Sequence, residues 1–144
     1  DRFGTFAPRL DVTYIDEYLT EDYLSGPMVN KIGRNGVPQY RANLTVNWYK
    51  GDWSAYYQIE YIDSMQEFSS FDVPTLSSSA SGSLGSYEIH NVQFTWDAPS
   101  NTSVTLGIRN LENKDPIIDS DNEWNSSLYD LYGRTFFAKL TQRF

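Results

Sequence analysis

The sequence predicts an all-β fold: a segment of an antiparallel β-barrel that crosses a membrane. Three observations predict it. Six stretches alternate apolar and polar residues with a period of two, the mark of strands whose two faces meet different surroundings. The connections between these stretches are alternately short and long, the layout of barrels with tight turns at one membrane surface and extended loops at the other. Aromatic residues make up 16% of the chain, a share suited to two interfacial girdles.

The elements follow in order. Residues 4–18 set Phe6, Pro8, Leu10, Val12 and Tyr14 against Ala7, Arg9, Asp11, Thr13 and Ile15. Proline cannot donate a ladder hydrogen bond, so Pro8 is expected near a strand end or a bulge. Residues 19–38 carry Gly26-Pro27, Gly33 and Asn35-Gly36 and read as a long loop. Residues 39–49 give the cleanest alternation, with Tyr40, Ala42, Leu44, Val46 and Trp48 opposite Arg41, Asn43, Thr45, Asn47 and Tyr49. Lys50-Gly51-Asp52 is a hairpin turn. Residues 53–65 continue with Trp53, Ala55, Tyr57, Ile59 and Tyr61 on one side and Ser54, Tyr56, Gln58 and Glu60 on the other. Trp48 and Trp53 flank one turn, where an interfacial girdle would hold them.

Residues 66–86 are rich in Ser and Gly, lack periodicity and read as a second long loop. Residues 87–97 oppose His90, Val92, Phe94 and Trp96 to Ile89, Asn91, Gln93 and Thr95. A tight turn at residues 98–101 leads to residues 102–111, where Val104, Leu106 and Ile108 alternate with Thr105, Gly107 and Arg109. Residues 112–131 form an acidic third loop. The last stretch, residues 132–144, places Tyr132, Arg134, Phe136, Ala138, Leu140, Gln142 and Phe144 on a largely apolar side and Thr135, Phe137, Lys139, Thr141 and Arg143 on a polar or cationic one, with Phe137 the exception. Each stretch is close to the roughly 9–11 residues that a tilted membrane strand needs. With the last strand running towards the periplasm, the two tight turns are expected there and the three long loops outside the cell.

Composition narrows the function classes. The net charge of −8 excludes a cationic nucleic-acid footprint. There is no cysteine, hence no disulfide, thiolate catalysis or Cys-based metal site. Mean hydropathy is −0.53, and no apolar run approaches the ~20 residues of a spanning helix. The chain opens at Asp1 without an apolar leader stretch, so any secretory signal is expected to be removed or to lie outside this sequence. Six strands are fewer than the ~8 of the smallest membrane barrels. An open sheet edge in hydrocarbon costs several kcal/mol per unpaired group, so the first and last strands are expected to pair with strands outside this sequence.

The stretch LGIRNLENKDP (residues 106–116), followed by YGRTFFAKLTQRF (residues 132–144), resembles the closing segment of TonB-dependent receptors. Gly107, Asn110, Leu111, Lys114, Pro116, Gly133, Arg134, Thr135 and Phe136 match that pattern as they stand, and residues 36–48 and 51–65 resemble late strands of the same family. A terminal Phe144, with Leu140, Ala138 and Phe136 behind it, resembles the assembly signal of outer-membrane barrels. The sequence departs from these patterns at Glu112, where the family has an aromatic residue, and at Gln142, where the signal has Tyr or an aliphatic.

The resemblance implies that residues 1–144 are the C-terminal strands of a barrel of about 22 strands with a plugged lumen. The plug domain and the TonB-contact segment would lie outside this chain. It implies a multi-pass protein of the bacterial outer membrane that imports a scarce large solute of the siderophore, cobalamin or glycan class. It implies no catalysis and no cofactor. The implied partners are the rest of the barrel and its plug, the TonB energy-transducing system, the barrel-assembly machinery, lipid and lipopolysaccharide, and the cargo. Readings from other classes are a passive channel or structural barrel segment, and a soluble β-sandwich binding module.

Candidate site residues carry a second reading each. Arg9, Arg41, Glu60, Arg109, Lys139 and Arg143 fall on the polar faces and are expected to face the lumen and the plug, or else a substrate path. Phe68, Phe71, Trp124 and Tyr129 could grip a ligand from the loops, or pack loop against loop. Asp119, Asp121 and Glu123, beside Asp115, could hold Ca²⁺, or form a solvated acidic loop lacking the glycine of an EF-hand. His90, the single histidine, could serve as a base only with a serine or aspartate in reach. Three Asn-x-Ser/Thr matches at Asn43, Asn101 and Asn125 carry no meaning in a bacterial setting.

Overall fold

The computed structural model describes residues 2–21, 24–34, 36–67, 82–119 and 124–143. Among them lie ten strands: β1 (Thr5–Tyr14), β2 (Leu19–Glu21), β3 (Met28–Asn30), β4 (Tyr40–Lys50), β5 (Trp53–Ile62), β6 (Met65–Glu67), β7 (Gly82–Leu84), β8 (Tyr87–Ala98), β9 (Thr102–Arg109) and β10 (Thr135–Gln142). The six long strands form one antiparallel sheet in the order β1-β4-β5-β8-β9-β10, each paired with its successor among them. The two short pairs, β2-β3 and β6-β7, are separate hairpins.

Register carries the two-faced pattern across the whole sheet. One row runs Phe6, Trp48, Ala55, Phe94, Leu106, Ala138, and the next runs Pro8, Val46, Tyr57, Val92, Ile108, Phe136. The opposite face holds Arg9, Thr45, Gln58 and Asn91 in one row and Thr5, Tyr49, Ser54, Thr95, Thr105 and Lys139 in another. The apolar face has no core against it: Leu140 is 72% exposed, Phe136 69% and Leu106 58%, while Leu44 and Val46 are half-buried. A soluble sheet hides such a face, so an apolar surface of this extent marks an interaction surface. Trp53 stacks on Phe94 and Trp96, with ring centroids 5.1 and 5.7 Å apart, at the end near the tight turns. Tyr14 meets Tyr40 at 5.0 Å near the loop end.

The tight turns follow from their residues. Lys50 pairs with Trp53, leaving Gly51-Asp52 as a two-residue turn with Gly51 at φ 57°. Ala98 pairs with Thr102 around a three-residue turn closed by Asn101 at φ 56°, a conformation asparagine tolerates better than most residues. Gln142 stitches that turn to the last strand. Its amide donates to the Ser100 carbonyl at 3.0 Å, and its side-chain oxygen accepts from the Thr102 hydroxyl. The departure from an aliphatic at this position thus has a local role.

Several expectations change. The strands are shorter than the alternation suggested: residues 15–18, 63–64, 110–111 and 132–134 lie outside the long strands. Main-chain polarity explains this at Asp63, whose carboxylate accepts from the Ser64 amide at 2.8 Å and turns the chain. Residues 19–38 and 66–86, expected as plain loops, hold β2-β3 and the small hairpin of β6 and β7. Pro8 sits inside β1 and not at an end or a bulge. The reason is the edge. The Ile15 amide donates to Gln39, so odd-numbered amides of β1 point at β4 and the Pro8 nitrogen points to the free edge. Phe144, Phe68, Phe71, Asp121 and Glu123 lie outside the described residues.

Gly107 makes one close packing possible. A Cβ there would fall within the ring of Phe137, which lies across the glycine on the polar face with the Arg109 guanidinium 5.8 Å from its centre. Gly107→Ala is expected to displace the ring and lower stability by about 1–3 kcal/mol, as overpacking does. Denaturant unfolding in micelles should show this loss, with partial recovery on adding Phe137→Leu.

Candidate functional site

The polar face is held by side chains bonded across strands. The Gln58 amide donates to Asn43 Oδ1 at 3.1 Å; the Asn91 amide donates to Gln58 Oε1 at 3.1 Å and to Glu60 Oε1 at 2.9 Å. Asn91 Oδ1 in turn accepts from the Asn110 backbone amide at 2.9 Å. The Thr95 and Thr105 hydroxyls meet at 2.9 Å. Alternation puts amides here because every second residue must live with polar neighbours. The network satisfies most of their donors and acceptors within the wall itself.

At the loop end the same face turns apolar. Ile62, Tyr87 and Ile89 share the parity of the polar residues, yet they form the floor of a small core with Met65, Leu84 and Tyr129. Leu128 and Ile117 pack against it. The Tyr87 and Tyr129 rings meet edge to face at 4.9 Å, and the Lys114 ammonium sits 5.3 Å over the Tyr87 ring. The segment after β9 is therefore pinned across the polar face.

Two asparagines bend the chain into that position. Asn110 and Asn113 both have positive φ, 51° and 58°, and both use their side chains. Asn110 exchanges two hydrogen bonds with the Lys114 backbone, at 2.7 and 2.8 Å. Asn113 Oδ1 accepts from the Arg134 amide at 2.8 Å, and a Cβ on Gly133 would come within 2.7 Å of that oxygen. The Asn-x-x-Asn spacing and the Gly-Arg pair thus act together to fasten the loop at both of its ends.

Between wall and loop lies a cavity of about 1040 Å³. Arg41, Glu60 and Arg109 line it, as do Asp11 and Asp130. Of the other residues assigned to the polar face, Arg9 is paired with Asp11 on its own strand at 2.8 Å. Lys139 is exposed beside Thr105, and Arg143 follows β10 with its amide bonded to the Asn101 carbonyl. Tyr129 is 4% exposed and belongs to the small core, while Trp124 is exposed at the cavity. Tyr132, which alternation put on the apolar side, precedes the strand and lines the cavity, 77% exposed. Of the calcium candidates, Asp119 is described while Asp121 and Glu123 lie outside the described residues; among the described residues no group of three or more acidic or histidine side chains could hold a metal.

His90 stands on the apolar face. Its Nδ1 lies 2.6 Å from the Tyr57 hydroxyl, and its Nε2 lies 3.8 and 3.9 Å from Glu88 and Glu112. Its hydrogen bond is to a phenol and not to the serine or aspartate that a catalytic pair requires. The signal that alternation missed was the run of apolar residues at polar parity, Ile62, Tyr87 and Ile89, all at strand ends next to long loops.

The Tyr129 hydroxyl is buried without a hydrogen-bond partner among the described residues, and burial raises its pKa above the ordinary 10.0. The folded protein therefore favours the neutral phenol. Loop docking should be intact below pH 10 and weaken as pH rises through the raised folded value. Tyr129→Phe should keep docking at neutral pH and lose this alkaline dependence. Tyr129→Ala should cost about 3 kcal/mol of docking. Proteolysis rates within residues 112–134 measure all three.

No family model and no curated protein matches the sequence. Solved structures match the fold. One is the ferric enterobactin receptor PfeA of Pseudomonas aeruginosa with a single glycine-to-valine substitution; it is 19% identical, with a TM-score of 0.63 over 94% of this chain and 19% of that one. A doubly substituted form of the same receptor gives 19% identity and a TM-score of 0.64 over 95% and 20%. A form in complex with enterobactin gives 18% and 0.62 over 94% and 20%. The chain thus spans about a fifth of the structures it matches. It has the fold of a six-stranded segment of that receptor's β-barrel.

Proposed function

We propose that residues 1–144 form the C-terminal wall of an outer-membrane, TonB-dependent transporter that imports a scarce large solute of the siderophore, cobalamin or glycan class. The observation that carries this reading is the bare apolar face continuous across six strands, on a sheet with two open edges. The match over nearly the whole chain to a siderophore receptor supports it. In this reading the apolar face meets lipid and lipopolysaccharide; on the polar face Arg9, Lys139 and Arg143 meet a plug domain, and Arg41, Glu60 and Arg109 line the substrate path beside it. Phe136, Ala138, Leu140 and Phe144 present the assembly signal to the barrel-assembly machinery. Cargo enters from the loop side, where Trp124 stands, and passes with energy delivered by TonB. The wall performs no chemistry.

Two measurements in the full-length protein test this. Leu106→Arg, at the middle of β9 on the apolar face, should destabilise the folded barrel by about 2–4 kcal/mol, whereas Thr105→Arg on the other face should cost far less. Equal effects would remove the lipid-facing assignment. Solute uptake should cease when TonB is deleted. Uptake that persists without TonB would make the barrel a passive channel.

A further inference from the structure

The cavity at the loop end carries a preference among cargo classes, an inference that rests on the transporter reading above. Its fixed charges are balanced: Arg41 and Arg109 against Glu60 and Asp130, with Asp11 held by Arg9 at 2.8 Å. Arg109 is spent on the Phe137 ring, 5.8 Å away. A multiply anionic iron chelate needs converging guanidinium or ammonium groups that outweigh nearby carboxylates. This wall offers no such excess of cations, on a chain of net charge −8.

What the cavity does offer is aromatic surface beside neutral hydrogen-bonding groups. Trp124 and Tyr132 line it and are 38% and 77% exposed. Below them lies the amide network. Within it Asn43 accepts from Thr45 and Gln58 through Oδ1, while its NH₂ group donates to no described residue. Ser126 and Ser127 add hydroxyls at the rim. Flat apolar rings next to amide and hydroxyl groups complement a pyranose, which presents C–H bonds on its faces and hydroxyls around its edge.

We propose that this cavity takes a neutral oligosaccharide, gripped by Trp124 and Tyr132 and hydrogen-bonded by Asn43. The test uses purified full-length receptor in detergent, titrated with maltohexaose, cellohexaose, xylohexaose and a ferric tris-catecholate, followed by calorimetry. At least one of the three hexaoses should bind saturably, and the ferric complex should not. Trp124→Ala and Tyr132→Ala should each weaken that binding at least tenfold, with Trp124→Phe retaining most of it. Binding of the ferric complex, or of none of the hexaoses, overturns the proposal, as does hexaose binding indifferent to both aromatic substitutions. Outer-membrane fractionation and TonB-dependent uptake by the same strain report on the transporter reading separately. Their success with failed hexaose binding would refute the sugar assignment alone.

Discussion

A backbone amide that faces hydrocarbon has no water to bond with, and this constraint orders the whole structure. The six long strands satisfy one another's amides and carbonyls across five ladders. The outer margins do not. On β10 the Arg143 amide bonds to Asn101 on the β9 side, so the amides of Phe136, Ala138, Leu140 and Gln142 point outward from the sheet. On β1 those of Phe6, Leu10, Val12 and Tyr14 do the same. Each such group left bare in lipid costs several kcal/mol. On the proposed reading, further strands on both sides remove that cost, and the short extent of the match relative to the neighbouring receptors accords with it.

The two faces then divide the work. The apolar face carries size and shape without specificity: branched and aromatic chains at middle depth, with Trp48, Trp53 and Trp96 gathered at the turn end. The polar face is where the sequence is particular. Amide-to-amide bonds stiffen the middle of the wall, and the small core around Tyr87 and Tyr129 holds a folded loop above it. The cavity exists because that loop is fixed at both ends by Asn110 and by the Asn113–Arg134 contact. A barrel wall alone would leave a bare slope; the loop converts it into a recess with defined side chains.

Much of this was legible in the sequence. Alternation gave the six long strands and the parity of most of their residues, because a sheet whose two faces meet different surroundings records the contrast residue by residue. Gly51 and Asn101 marked the tight turns through their tolerance of positive φ. Contacts between distant segments were not legible. Nothing local distinguishes Ile62 and Ile89, which floor the loop core, from ordinary apolar lapses in a polar row. Tyr132 kept the strand's alternation although the strand begins at Thr135, since side-chain period cannot say where pairing stops. Pro8 was misjudged because alternation does not reveal which way a nitrogen points on an edge strand. Of the residues that line the cavity, Arg41, Glu60 and Arg109 are marked by polar parity and Trp124 by its loop, whereas Asp130 and the hydroxyls carry no signal of that kind.

Pro8 has one more consequence. Along the outer margin of β1 the donors run Phe6, a gap, then Leu10, Val12 and Tyr14. A strand arriving at this margin meets three successive donors towards the loop end and a lone one towards the turn end. Its zipper has a missing tooth near the tight turns, so the seam is held by fewer hydrogen bonds at that end than at the other.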